Sequence, residues 1–304
     1  MNVQNEFAEE TAPATLSETR PFYWSVRREL WENRSVYMGP LLAAGAVMFA
    51  FLVTLHKLPR RMSGLASMTG GKQYELVNMP YRAICGVLVL TAFIVGVVYC
   101  LDALYGERRD RSILFWKSLP VSDRTTVLAK AAIPLVVMPV LVFVLGIAGQ
   151  IVMLLLNTAV LLGSGMSPAP QWTQFKFVQM AIAFGYSLIV VALWHAPIYT
   201  GLLMVSGWAR RAAVLWVALP LLAIGVIERL AFNTTHLGTL IRERLIGWFP
   251  RGFVTHTRNG EVLDPLASMS VGRLLMTPGL WIGLVLAVVF LAAAVRLRRR
   301  REPI

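Results

Sequence analysis

A charged loop with an apolar centre is the stretch of this sequence best suited to chemistry, and that chemistry is binding. The loop covers residues 104–124 and lies between two long apolar runs, so it should lie in water. Its centre is an apolar block from Ile113 to Trp116, with Arg111 and Lys117 on either side. Because large apolar side chains are displayed among so many charges, we expect a partner to contact this loop.

The same loop carries signals for two helices in succession. The charged and apolar residues around Phe115 fit a short amphipathic helix. Leu119 precedes a proline and is therefore disfavoured in a helix. Ser122 followed by Asp123 is typical of an N-cap and a first-turn carboxylate. The sequence thus predicts a short helix, a stop and a new helix.

Residues suited to catalysis are few and dispersed. The four histidines are scattered, and neither a zinc-protease motif nor a nucleotide-binding domain is present in the sequence. His195 is the most central ionisable residue of an apolar run, and such residues are candidates for a transport pathway. A single histidine in a helix can equally be satisfied by the backbone or hydroxyl of a neighbour. The sequence therefore predicts no catalytic and no metal-binding residues, with His195 as a possible pathway residue.

The composition is that of a membrane protein. Of 304 residues, 57% are hydrophobic and only 15% are charged, with a mean hydropathy of +0.62. The net charge of +13 is not accompanied by any nucleic-acid-binding motif. We interpret it as an excess of basic residues on one side of the membrane and as attraction to anionic lipid. Membrane lipids, and not nucleic acid, are the expected contacts.

Six apolar runs are long enough to cross a bilayer. They are Val36–Leu55, Ala83–Leu101, a run from Ala131, a run from Phe177, Ala212–Ile227 and Leu280–Val295. An even number puts both termini on one side. The basic block at 296–301, directly after the last run, predicts that this side is the cytoplasm.

The predicted organisation is all-α. Residues 1–19 form a flexible cytoplasmic tail, and 20–35 an amphipathic helix that lies either in the headgroup layer or against the cytoplasmic side of the protein. Residues 36–304 form the six-span domain. This domain includes the cytoplasmic loop 105–130 and an outer segment, 232–278, in which we expect one or two short helices at the membrane surface.

This organisation resembles the permease subunits of type-2 ATP-binding-cassette (ABC) exporters. The likeness covers nearly the whole chain in architecture, but only the loop 105–124, with its run ERRDRSILFWKSLPVS from residue 107, is specific in sequence. The resemblance implies that this loop is the coupling helix that docks on a separate ATPase. The docking residues it assigns are Glu107, Arg108, Arg109, Asp110, Arg111, Ile113, Leu114, Phe115, Trp116, Lys117 and Leu119.

The resemblance also implies the setting of the chain. Two copies would form the substrate path in a bacterial cytoplasmic (inner) membrane, and each would bind an ATPase subunit. The chain itself would be no enzyme and hold no cofactor, because ATP and magnesium would be bound by the partner.

Two other functions remain open from the residues. A secondary transporter needs ionisable groups near the midplane of the membrane and often has paired repeats, for which His195 alone is weak support. A non-transporting membrane scaffold needs neither, and failure to co-purify with an ATPase would favour it.

Overall fold

The computed structural model describes residues 21–64, 70–118, 121–253 and 265–300. The predicted tail 1–19 and Leu119 lie outside these ranges. Within them the chain is all-α, as predicted. The helices are α1 (Pro21–Glu32), α2 (Ser35–Leu55), α3 (Leu58–Ser63), α4 (Gly70–Asp102), α5 (Tyr105–Arg109), α6 (Ser112–Ser118), α7 (Asp123–Ala132), α8 (Met138–Gly163), α9 (Ala169–Gln174), α10 (Phe177–Trp208), α11 (Ala213–Ile227), α12 (His236–Ile246), α13 (Trp248–Gly252), α14 (Val271–Leu275) and α15 (Pro278–Arg300).

Six helical stretches of the described chain are long and apolar enough to cross a membrane, which confirms the predicted number. They are Ser35–Leu55, Gln73–Arg109, Asp123–Gly163, Ala169–Trp208, Ala213–Phe232 and Pro278–Arg300. Three short helices, α12, α13 and α14, precede the last of them, where one or two were predicted.

The third stretch begins earlier than the apolar run from Ala131 indicated. Its first helix, α7, begins at Asp123, and a π-helical turn at Ile133–Val137 joins it to α8. Pro134 lies in this turn, where the wider winding accommodates a residue that lacks a backbone N–H. The apolar run did not indicate α7, because the charged residue Lys130 interrupts it. In the folded chain the Lys130 side chain is buried and forms ion pairs.

The long helix α10 lies at the centre of the bundle. It packs most extensively on α15 and also on α4. Tyr99 and Cys100 of α4 and Leu203 of α10 belong to one buried cluster of this core. By contrast, α2 and α11 bury few residues, so most of their apolar surface is free to face lipid or another subunit.

Helix α1 packs against the rest of the chain on one face and exposes aromatic side chains elsewhere on its surface. One face packs on α7 and buries Ser25 and Glu29. The aromatic side chains Tyr23, Trp24 and Trp31 are exposed. The helix is thus held by the protein while its aromatic surface remains available to a headgroup layer.

Candidate functional site

The charged loop folds into two short helices separated by a tight turn. The turn consists of Asp110 and Arg111, and Arg111 has a φ of 56°, which is uncommon for a residue with a side chain. Helix α6 follows over the predicted amphipathic stretch. Ser122 then caps α7, since its Oγ accepts a hydrogen bond from the N–H of Thr125 at 3.1 Å.

Helix α6 divides its apolar residues between the protein interior and the surface. Ile113 is buried, whereas Leu114 and Phe115 are 59% and 61% exposed. Trp116 is half-buried, and the guanidinium carbon of Arg28 lies 3.9 Å from the centre of its ring. The helix therefore presents two adjacent large apolar side chains outside the membrane-spanning helices.

Beneath the loop lies a buried ion cluster, which we define as Arg28, Glu29, Glu107, Asp123, Lys130 and Arg298. Glu29 of α1 is its innermost carboxylate. Its Oε1 accepts hydrogen bonds from Lys130 Nζ and Arg28 Nη2, both at 2.8 Å, and its Oε2 accepts one from the Tyr99 hydroxyl at 2.8 Å.

Glu107 of α5 is the second centre of the ion cluster. Its carboxylate lies 3.2 Å from Arg28 Nη2, 3.1 Å from Lys130 Nζ and 3.3 Å from Arg298 Nη2. Arg298, near the end of α15, also pairs with Asp123 at the start of α7. Three carboxylates thus face three basic groups, and the cluster is electrically balanced.

The ion cluster connects elements that are far apart in sequence. Helices α1 and α7 each contribute two charged side chains, α5 and α15 contribute one each, and α4 contributes Tyr99. Removing one member of a buried pair leaves the other charge unpaired, which costs about 3–5 kcal/mol. The loop is therefore attached firmly to the ends of the second, third and sixth spans and to α1.

The ion pairs set the ionisation of the two α1 residues. Burial opposes the ionisation of Glu29, but Lys130 and Arg28 outweigh it and hold the pKa of this carboxyl below its ordinary value. Burial acts to lower the pKa of Arg28, and the hydrogen bond and charge of Glu29 raise it overall. Both side chains are therefore charged at neutral pH.

A second set of contacts fixes the loop to the end of the fourth span. Arg108 donates to the carbonyl oxygens of Gly207 and Ala209 at 2.9 and 3.0 Å, where α10 ends. The Ser206 hydroxyl accepts hydrogen bonds from the N–H groups of Leu104 and Tyr105. A displacement of α5 would therefore act directly on the end of α10.

The structure separates the residues predicted to dock into two groups. Leu114, Phe115, Arg109, Asp110 and Arg111 are exposed. Glu107, Arg108 and Ile113 are buried in contacts within the chain. Lys117 lies in α6. The buried group is suited to holding the loop, and the exposed group to meeting a partner.

His195, the possible pathway residue, is remote from the loop. It is buried in α10, its Nε2 lies 3.2 Å from the carbonyl oxygen of Leu245 in α12, and its ring is 4.9 Å from that of Phe93. A contact of this histidine with a neighbouring backbone group is one of the two possibilities that the sequence allowed. The contact joins the fourth span to the outer segment.

Sequence reasoning did not identify Glu29, Tyr99, Lys130 and Arg298 as members of one site. Arg298 was interpreted only as part of the basic block that orients the chain. A signal existed, because charged residues at the ends of apolar helices require partners. Their pairing is tertiary, with Lys130 and Glu29 separated by 101 positions, so no local spacing indicates it.

No family model, no curated protein and no solved structure matches this chain. Its function is therefore inferred from its own residues and their geometry.

Proposed function

We propose that this chain is the permease subunit of an ABC transporter, similar to the type-2 exporters, and that a separate ATPase subunit drives it. The observation that carries the proposal is the exposure of Leu114 and Phe115 on a short helix attached to several spans. Exposed adjacent apolar side chains are typical of a binding surface. Rigid attachment to the spans is what a force-transmitting element needs.

The chemistry of the surface indicates what it fits. Leu114 and Phe115 would enter an apolar groove on the ATPase. The exposed arginines Arg109 and Arg111 would meet carboxylates at the rim of that groove. Arg109 is already paired with Asp110 at 2.9 Å, so it would exchange or share this partner on docking.

The ion cluster supplies the coupling in this proposal. Movement of α6 would pass through the buried Ile113 and through Glu107 to Lys130 and Arg298, at the inner ends of the third and sixth spans. It would also pass through Arg108 to the end of α10. Closure of the ATPase would thus tilt several spans together, while ATP and magnesium remain on the partner.

A second copy of the chain completes the proposed path. Helices α2 and α11 bury only a small part of their surface within one chain, which leaves apolar faces available for another subunit. Few ionisable side chains are found within the spans, which favours an amphiphilic or apolar cargo over a small ion. Export from the cytoplasm is the direction that the family resemblance favours.

The proposal is tested by purifying the chain together with the products of its neighbouring genes, among which we expect an ATPase. Phe115→Ala should weaken docking by about 2 kcal/mol or more, because it removes a large apolar side chain from the centre of the interface. Phe115 is preferred to Trp116 for this test, since Trp116 also contacts Arg28 of the ion cluster.

Met276→Ala is the matched control, because Met276 is 85% exposed at the other end of the bundle. It should co-purify with the ATPase as the parent does. If the parent captures no ATPase, or if Phe115→Ala captures as much as the parent does, the loop is a solvated connection and the proposal fails.

A further inference from the structure

A small pocket opens at the end of the bundle opposite to the ion cluster. It lies between the end of α2, α3, the start of α4, the end of α8 and α9, and its volume is about 60 Å³. One wall is apolar and includes Phe51, Leu55, Leu58 and Met62. A single water molecule needs a cavity of about 10–15 Å³, so a chemical group of several heavy atoms fits this pocket.

The inner end of the pocket is polar. Asn157 and Gln171 line it, and both side chains are almost fully buried. The Nδ2 of Asn157 donates to the Tyr81 hydroxyl at 2.9 Å, and the Nε2 of Gln171 donates to the same oxygen. The amide oxygens of both residues lack a hydrogen-bond donor within the described chain.

These amide oxygens cannot all be satisfied by Tyr81. A tyrosine hydroxyl has one hydrogen and can donate to only one acceptor. Whichever way the two amides are turned, at least one polar atom beside the pocket remains unpaired. Asn78 and Gln150, which lie near Tyr81, also leave their amide oxygens without a donor in the described chain. Buried acceptors of this kind require donors, and the described part of the chain supplies too few.

The outer rim of the pocket is cationic. Arg61 and Thr54 line it, and both are exposed. In the ranges that the structure describes, no carboxylate lies within ion-pair distance of Arg61. An occupant of the pocket can therefore place an anionic group on Arg61 and hydrogen-bond donors toward Asn157 and Gln171.

We propose that this pocket binds a membrane phospholipid whose headgroup carries ammonium or hydroxyl hydrogens, such as phosphatidylethanolamine or phosphatidylglycerol. The phosphate pairs with Arg61, and the headgroup donates to the amide oxygens of Asn157 and Gln171. Small rotations about the broad terminal torsions of these amides bring the oxygens toward the ligand. The acyl chains lie along the apolar wall that Phe51 and Leu55 of α2 form with Leu58 and Met62 of α3.

A lipid fits better than a water-soluble phosphate because the apolar wall includes Phe51 and Leu55 of α2, which is long and apolar enough to cross a membrane. The need for headgroup hydrogens separates the candidates further. Phosphatidylcholine has the same phosphate and chains, but its trimethylammonium group has no hydrogen to donate. It should therefore bind more weakly than the other two lipids.

The test is native mass spectrometry of the purified full chain in detergent, with phosphatidylethanolamine, phosphatidylglycerol and phosphatidylcholine of identical acyl chains added in equal amounts. We expect adducts of the first two lipids to exceed those of phosphatidylcholine. Arg61→Gln and Asn157→Leu should each lower the apparent affinity about tenfold, which corresponds to one lost charge-assisted or buried hydrogen bond.

Two variants serve as matched controls. Arg60→Gln removes an arginine from the same short helix, outside the residues that line the pocket. Gln179→Leu removes another amide whose oxygen is buried without a hydrogen-bond partner among the described residues, also outside the pocket. Both should bind lipid as the parent does.

Three results would overturn the proposal. Phosphatidylcholine could bind as well as the other lipids, or both pocket variants could bind like their controls, in which case only water occupies the site. Water-soluble glycerol 3-phosphate could also compete at equal concentration, which would exclude a lipid-specific site. Because Arg61 is exposed, the Arg61→Gln variant should fold as the parent does. It therefore keeps the test decisive even if the Asn157→Leu variant fails to fold. None of these results depends on an ATPase.

Discussion

Lys130 of α7 donates a hydrogen bond to Glu29 of α1 at 2.8 Å, and the two side chains are 2% and 0% exposed. A buried pair of this kind gives little net stability relative to an apolar pair, because both charges have lost their water. We infer that its value lies in specificity, because a displaced α1 would leave Glu29 without its bonds to Lys130 and Tyr99. The pair therefore fixes the position of α1 on the third span.

Replacing Lys130 by Met should destabilise the protein by about 3–5 kcal/mol, because Glu29 and Glu107 then lose a common partner inside the structure. The effect is measured as the midpoint of thermal unfolding, with size-exclusion chromatography used to quantify the folded protein that remains after heating to each temperature. Arg124→Met is the control. Arg124 is exposed on the same helix, and its replacement should leave the midpoint nearly unchanged. Equal midpoints for the two variants would show that the ion cluster does not hold α1.

Acid should weaken the ion cluster through Glu29. Because the folded-state pKa of Glu29 lies below its unfolded value of about 4.3, the stability it contributes is complete above that value and is lost as the pH falls through the folded pKa. Glu29→Gln should be less stable than the parent at pH 7. The difference between the two unfolding midpoints should shrink as the pH is lowered toward about 4 and below.

Asp110→Asn is the control for this pH series. The hydrogen bond from Arg109 also lowers the pKa of Asp110, but this carboxyl is exposed to water and its pairing is worth little. Its midpoint should follow that of the parent at every pH. A Glu29→Gln curve that stays parallel to the parent would mean that another group governs the acid response.

Both ends of the described chain should face the cytoplasm. In a background with Cys85 and Cys100 replaced by alanine, single cysteines at Arg300, Ser164 and Met276 report the side of the membrane. A membrane-impermeant maleimide should label positions 164 and 276 in intact cells, and position 300 only after permeabilisation. The reverse pattern would invert the orientation derived from the basic block at 296–301.

The number of spans could be predicted from the sequence because hydrocarbon thickness sets a minimum apolar length. The break between α6 and α7 was also predictable, since Ser122 and Asp123 form a local capping signal. Helix limits inside the long apolar regions were not. The π-helical turn at Ile133–Val137 and the burial of Lys130 depend on neighbours that are distant in sequence.

The division of the loop residues into a buried and an exposed group could likewise not be predicted from the local sequence pattern. Glu107 and Arg109 are both charged residues two positions apart in one loop, yet Glu107 is buried at the centre of the ion cluster and Arg109 is exposed. The difference arises because Arg28, Lys130 and Arg298 converge on Glu107 from three other helices. Such convergence is a property of the packed bundle alone.

Arg244 connects the outer segment to the bundle through side-chain contacts, and the effect of these contacts can be tested separately. Arg244 of α12 donates to the carbonyl oxygen of Gly279 at 3.1 Å and lies over the Trp194 ring, 5.0 Å from its centre. A Cβ atom at Gly283 would collide with the Arg244 guanidinium, so glycine at this position makes room for it. Gly283→Val should therefore displace Arg244 and loosen α12 from α10 and α15.

Loosening of α12 should appear as faster backbone hydrogen exchange in His236–Ile246. We expect the exchange rate to rise severalfold in Gly283→Val, because local opening of this helix, whose Leu245 carbonyl oxygen lies beside His195 in the parent, then requires less free energy. Gly45→Val is the matched control, since a Cβ atom at this other membrane-helix glycine would meet nothing within 4 Å. An unchanged rate in Gly283→Val would mean that His195 and the rest of α12 hold the outer segment without Arg244.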